Sequence, residues 1–349
     1  MPRARRLWPF PLAAAASAAL LLSPWPAALL IRGVFYRGAQ QLVAQMAPYA
    51  PEVTEHRALK YQADGGTRRL DLYLPPDRTG LVPVVFWIHG GAWISGSRRD
   101  VAPYLRMLAG RGFAAVGVDY SVAPGARYPV ALNQLDSALR FLEEHAGQYG
   151  LDMRRVVIAG DSAGAQLAAQ LTAAVSAPEY AAALGFSPTL PRKHLRGAVL
   201  HCGVYDLKAM SELTGILGWG FRTALWAYTG TRDFARTAAA DHMSVLEHAT
   251  PDFPPAFISG GNGDGLTLTQ SVPFANRLES LGVPVTRRFW PGLSPALPHE
   301  AQFQFSRPEA GAVLDETQTF LVSVVGQDGI LSGMSSARPA AGTLPRPST

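Results

Sequence analysis

The sequence predicts an α/β fold, a mostly parallel sheet with helices on both faces. Three observations carry the prediction. Six short apolar runs of strand length alternate with segments of helical composition, the pattern of parallel strands joined by helical crossovers. One run, Val156–Gly160, passes through Gly160-Asp161-Ser162-Ala163-Gly164 into the alanine-rich stretch Ala165–Val175, so that strand, tight turn and helix follow directly. The 349 residues, 48% of them hydrophobic, suit one large domain plus appendages.

The first 37 residues hold Arg3, Arg5, Arg6, Arg32 and Arg37 and no acid, and these five account for the whole net charge of +5. The rest of the chain is electrically balanced, which argues against binding nucleic acid. Between the arginines, Leu7–Ile31 is uncharged and rich in Ala and Leu. Its length approaches the roughly 20 residues of a bilayer span. No small-x-small cleavage site closes it, so residues 1–31 read as a membrane anchor with the body outside the cytoplasm, or otherwise as a cleaved signal of a secreted protein.

Residues 32–56 follow as an amphipathic segment. Val34, Phe35, Leu42, Val43 and Met46 fall at helical spacing before Pro48 and Pro51. Arg57–Gln62 and Arg69–Leu74, separated by Ala63-Asp64-Gly65-Gly66, predict a hairpin. The six alternating strands are then Val84–His89, Ala114–Asp119, Val156–Gly160, Gly197–Cys202, Ala256–Gly260 and Val283–Trp290. In such a sheet the chemistry belongs at the carboxyl ends of the strands. About fifty residues separate the fourth strand from the fifth, far more than an ordinary connection. Apolar helices there, over roughly 206–252, would form a cap and with the 34–46 helix line an apolar pocket. Gly326–Thr349, rich in Gly, Ser, Ala and Pro, reads as a disordered tail.

The single cysteine, Cys202, lies in an apolar run and reads as a buried structural thiol; one cysteine excludes an intrachain disulfide. At Gly160-Asp161-Ser162-Ala163-Gly164 the strand–turn–helix context makes a nucleophile elbow of a motif that alone is common. Side chains at Gly160 and Gly164 would collide with the neighbouring strand and helix. Asp161 reads as a residue that fixes the elbow. After the strand Val84–His89, Gly90 and Gly91 leave bare backbone amides, which with the N–H of Ala163 suit a developing oxyanion. A plain glycine turn is the competing reading. His89, ahead of the glycines, reads as a residue fixing the loop.

Taken together, His89-Gly90-Gly91-Ala92-Trp93, Asp119-Tyr120-Ser121-Val122-Ala123-Pro124 and Gly160-Asp161-Ser162-Ala163-Gly164 resemble the ordered motifs H-G-G-G-W, D-Y-R-L-A-P and G-D-S-A-G of the hormone-sensitive-lipase-like carboxylesterases. The resemblance covers about residues 57–325. Ala92 replaces a third glycine, and Ser121-Val122 replace Arg-Leu. It implies an α/β-hydrolase fold with an eight-stranded sheet and a helical cap, and a serine hydrolase acting on small to medium hydrophobic esters through an acyl-enzyme. It implies no organic cofactor and no metal.

In that fold the triad order is Ser, acid, His. Asp264, in the glycine-rich turn after Ala256–Gly260, resembles the family's acid; Pro291–Pro298 reads as a loop after the last strand, and His299, which with Glu300 opens the next helix, is placed to be the base. Glu300 and Asp252 are reserve acids. His242 and His248 precede the acid in the cap insertion, and His201 reads as a core histidine. The same machinery would also serve amide or formamide hydrolysis, and the fold also occurs in non-catalytic ligand-binding proteins.

Overall fold

The computed structural model describes residues 22–63 and 65–326. Eight strands form one sheet: β1 (Thr54–Ala63), β2 (Gly66–Leu74), β3 (Val82–Ile88), β4 (Ala114–Val118), β5 (Leu151–Asp161), β6 (Leu195–His201), β7 (Ala256–Ser259) and β8 (Val285–Arg288). Their spatial order is β1-β2-β4-β3-β5-β6-β7-β8. β1 and β2 form the expected antiparallel hairpin, β2 pairs antiparallel with β4, and every later pairing is parallel. The chain order reverses at β3, with β4 on one side and β5 on the other. The switch point between the carboxyl ends of β3 and β5 is where such sheets place their ligand crevice.

Alternation along β3 divides the core. Val84, Phe86 and Ile88 point to one face, where they pack with α3 (Val130–Glu144) and α4 (Ala163–Ser176). Val85 and Trp87 point to the other, against α2 (Ala102–Ala109) and α7 (Pro308–Val325). All five are buried, each contributing about 1.5–3 kcal/mol of apolar transfer. Both faces are covered, which is why the central strands read as continuous apolar runs.

Strand ends shift by a few residues, and three differences from the sequence reading are larger. β5 begins at Leu151 because Leu151 and Asp152 pair with Val82 and Pro83 across a register shift. The N-terminal helix α1 runs Trp25–Met46 with proline in its first turn. Trp25–Ile31, assigned above to the anchor, is therefore part of a helix that buries Ala28 and Ile31 against the domain. No helix opens at His299-Glu300: Glu300 is left-handed with φ 57°, a short 3-10 turn follows at Ala301–Phe303, and α7 starts only at Pro308. Leu7–Leu21 and the tail beyond Gly326 lie outside the described residues. Among the described residues no helix is long and apolar enough to cross a membrane.

The insertion between β6 and β7 holds Leu207–Ser211, α5 (Gly215–Thr229), Ala238–Met243 and Val245–His248. Asp206 caps the first of these, accepting the N–H of Lys208 at 2.9 Å, and Thr237 caps the third. α1 and α5 pack against each other, so the cap and the N-terminal helix are neighbours, as expected. The last helix to note, α6 (Val272–Ser280), precedes β8.

Candidate active site

β5 delivers Ser162 at its carboxyl end with φ 53° and ψ −121°, a conformation that L residues adopt only under constraint. The constraint is close backbone approach on both sides. A Cβ on Gly160 would stand 2.5 Å from the Gly164 carbonyl oxygen, and one on Gly164 would stand 2.1 Å from that of Ile88. Only glycine fits at either position, and the turn is held in a single shape. The N–H of Ser162 donates to the His201 carbonyl at 2.9 Å, fastening the elbow to β6.

His299 reaches the serine from the loop after β8. Its Nε2 is 2.9 Å from Ser162 Oγ, and its Nδ1 is 2.8 Å from Asp264 Oδ2. The other Asp264 oxygen accepts the Leu266 N–H at 2.9 Å. The three expected residues are thus brought into line. An alcohol, an imidazole and a carboxylate so ordered can deprotonate the alcohol as it attacks and stabilise the imidazolium that results. Burial works against a charge on His299, but the adjoining Cys202 sulfur and the Asp264 carboxylate favour one, and the balance lifts it well above the ordinary histidine range.

The two loops carrying acid and base are laced together. Asn262 Oδ1 accepts the Leu297 N–H at 2.8 Å, Asn262 Nδ2 donates to the Leu293 carbonyl at 2.7 Å, and the Gly263 N–H donates to the Leu297 carbonyl at 2.8 Å. Asn262 was not singled out from the sequence, where it stands as one amide in a glycine-rich turn.

The oxyanion turn requires a correction. The N–H of Gly90 donates to Asp161 Oδ2 at 2.8 Å, so that amide is occupied and cannot serve as a free donor. Among the described residues, the amides of Gly91 and Ala92 have no acceptor, and Ala163 opens α4, where no preceding turn takes up its N–H. The amides left unoccupied for an oxyanion are therefore those of Gly91, Ala92 and Ala163. Gly91 has φ 110°, and a Cβ there would lie 2.4 Å from the Ser95 carbonyl oxygen, whereas Ala92 holds φ 51° with its methyl buried. Alanine in place of a third glycine thus keeps its amide, at a cost of about 1–2 kcal/mol of backbone strain.

Asp161 also accepts from Trp87 Nε1 at 2.8 Å, which bears out its role in fixing the elbow. Glu300 is hydrogen-bonded to it. Burial pushes both carboxyls up; the Glu300 charge raises Asp161 further, while the bond to Asp161 pulls Glu300 back down. Both Asp161 oxygens already accept N–H bonds, from Trp87 and Gly90. The other reserve acid, Asp252, pairs at the surface with Arg192, its carboxylate oxygen 2.5 Å from the guanidinium.

The remaining candidates stand as read. His89 places Nδ1 2.8 Å from the Gly90 carbonyl oxygen and stacks on Tyr120, whose hydroxyl donates to the His89 carbonyl at 2.9 Å. His201 is buried with Nδ1 2.6 Å from Ser259 Oγ, and burial lowers it to about 3. His248 is occupied by the Asp241 carbonyl at 2.9 Å, and His242 lies on the cap helix Ala238–Met243. Cys202 is a buried thiol, pushed up by burial, but it also touches the His299 ring, which its strand position did not reveal. Cys202, Asp264 and His299 present potential metal-ligating atoms within 4.8 Å of one another; two of the three are engaged in the line to Ser162.

A second feature not anticipated is the tie between elbow helix and cap. On α4, Gln166 accepts the Trp93 indole N–H at 3.0 Å and donates to the Met243 carbonyl at 3.1 Å, while Gln170 donates to the His242 carbonyl at 3.0 Å. The only sequence signal was two amides four apart in an alanine-rich helix.

With this geometry in view, the BD-FAE family model matches residues 70–278. The chain belongs to the BD-FAE family. Its α/β-hydrolase fold is shared with solved structures of esterases, and curated esterases are among its relatives. It is 28% identical over 222 residues to the probable carboxylic ester hydrolase LipM of Mycobacterium tuberculosis, covering 61% of this chain and 49% of LipM. It is 29% identical over 252 residues to the esterase LipI of the same organism, covering 68% of this chain and 74% of LipI. Esterase B from Lactobacillus Rhamnosis superposes with a TM-score of 0.73 at 26% identity, covering 86% of this chain and 96% of that one. The chain spans about half the length of LipM.

Proposed function

We propose that this chain is a serine carboxylic-ester hydrolase acting on small to medium hydrophobic esters. The observation that carries the reading is the line from Ser162 Oγ through His299 to Asp264, with separations of 2.9 and 2.8 Å. Ser162 attacks the ester carbonyl carbon while His299 takes its proton, and Asp264 holds the imidazole and offsets its charge. The carbonyl oxygen becomes an oxyanion facing the amides of Gly91, Ala92 and Ala163, each contributing about 3 kcal/mol by comparison with other such donors. Collapse breaks the bond to the alcohol, which leaves with the proton from His299. Water, activated by the same imidazole, then releases the acid.

The named esterases among the relatives support an ester substrate, and the apolar side chains of the cap support a hydrophobic one. The test is turnover of short-chain chromogenic esters. Ser162→Ala should lower kcat by roughly 10⁴–10⁶-fold with the fold unchanged, and a variant as active as the parent sinks the reading.

The chain is further proposed to act outside the cytoplasm, held to the membrane through its N-terminal apolar segment. The arginine-flanked, uncharged run from Leu7 supports this. Detergent-free fractionation of the expressed full chain tests it: recovery solely as a shortened soluble form would show the segment to be a cleaved signal.

A further inference from the structure

The faces of α1 and α5 that turn away from the domain are apolar. Leu29, Leu30 and Val34 on α1 and Ile216, Leu217 and Trp219 on α5 are all exposed, Leu30 to 67% and Ile216 to 87%. Exposed large apolar residues scattered singly call for no explanation, but a grouping on two packed helices does. Charge supplies the second observation. Neither helix contains an acid, and the first acidic residue of the chain is Glu52. Each helix exposes an arginine, Arg37 on α1 and Arg222 on α5. Exposed apolar side chains with cations and no anions are what an interfacial helix presents to a negatively charged bilayer.

Two further features fix the place of this face. The uncharged run from Leu7 to Pro24 leads directly into α1, so the most apolar stretch of the chain ends where the face begins. At the other end, Leu217 lies against the acid loop, its Cδ2 3.8 Å from where a Cβ on Gly265 would stand. Gly265 follows Asp264 directly. The face therefore reaches the loop that carries the acid of the line to Ser162.

We propose that α1 and the start of α5 dock on an anionic lipid bilayer, and that the site takes a hydrophobic ester from that bilayer rather than from bulk water. The substrate part rests on the ester-hydrolase reading above. Docking presses the acid loop beside Leu217 onto the lipid surface, so the ester enters without crossing water. Arg37 and Arg222 sit at headgroup level, and the indole of Trp219 lies at the interface.

The test uses the full chain on vesicles of phosphatidylcholine alone or mixed with phosphatidylglycerol. Brominated phospholipids should quench a fluorescence component that Trp219→Phe removes, and more strongly in the anionic vesicles. The double variant Leu30→Glu, Ile216→Glu, at two exposed positions outside the crevice, should turn over a soluble butyrate ester within about twofold of the parent. It should hydrolyse a long-chain ester embedded in anionic vesicles at least roughly tenfold more slowly. Absence of the Trp219 component, equal quenching in neutral vesicles, or unimpaired vesicle hydrolysis by the double variant each overturns the proposal. So does a sedimentation result showing the face covered by a second copy of the chain. Failure of the parent on the soluble ester would instead remove the hydrolase reading, while the quenching still decides whether the face docks.

Discussion

The Asp161 carboxylate accepts the N–H of Gly90 at 2.8 Å, and that bond sets which amides of the turn are left for an oxyanion. Asp161 is itself held by Trp87, so the turn is pinned from the sheet while its next two amides, Gly91 and Ala92, stay without an acceptor among the described residues.

Substitutions in this turn should therefore separate sharply. Gly91→Ala forces a methyl to within 2.4 Å of the Ser95 carbonyl oxygen and should cost roughly 10²–10³ in kcat, the loss expected of one misplaced oxyanion donor. Ala92→Gly relieves a left-handed alanine and should leave kcat within a few-fold, with a stability change of no more than about 1 kcal/mol either way. Steady-state kinetics and thermal melts of both variants check this.

Asn262 bridges the acid and base loops with bonds of 2.8 and 2.7 Å. Asn262→Ala should destabilise the protein by about 1–3 kcal/mol and lower kcat with little change in KM, because it touches the alignment of His299 and not the substrate. A KM-dominated effect would contradict the assigned role.

The pH dependence follows from His299. Only the neutral imidazole can accept the serine proton, and the folded protein holds its pKa above the ordinary 6.5. The rising limb of kcat/KM should accordingly have its midpoint above 6.5. Asp264→Asn removes the carboxylate that stabilises the imidazolium, so the midpoint should fall along with the rate. A pH–rate profile of each protein decides it.

Glu300 gives a complementary effect on stability. Its pKa is raised from 4.5, chiefly by burial, so the folded state binds its proton more tightly than the unfolded chain. The stabilisation is complete below about 4.5 and is lost as pH rises through the folded value. Glu300→Gln keeps a donor toward Asp161 at every pH, so its Tm should gain on that of the parent as pH increases. Parallel Tm–pH curves would be the contrary outcome.

What was legible in the sequence was local. The central strands were legible as continuous apolar runs because both their faces are covered, and β1 and β2 as strand-like runs about a glycine turn. Ser162 was visible because its strand, turn and helix are contiguous. Asp264 and His299 were reachable because each follows a recognisable strand. Two of the misses at the site share one cause: they depend on side chains bonding to backbone far away in sequence. Gly90 could not be seen as occupied because its acceptor lies 71 residues on, and Asn262 meets Leu297 across 35 residues. The start of β5 was hidden by Arg154 and Arg155, which interrupt the apolar run, and α1 by the two prolines that begin it.

The lacing between residues 262 and 297 means that the triad is built from two parts, not three. Imidazole and carboxylate belong to one rigid piece, and the hydroxyl belongs to another, clamped by Gly160 and Gly164. Any positional error between the pieces accumulates at one seam, the 2.9 Å gap between Ser162 Oγ and His299 Nε2. A distant substitution that perturbs the scaffold would then register as a change in reach from alcohol to base, while the partnership of base and acid travels intact.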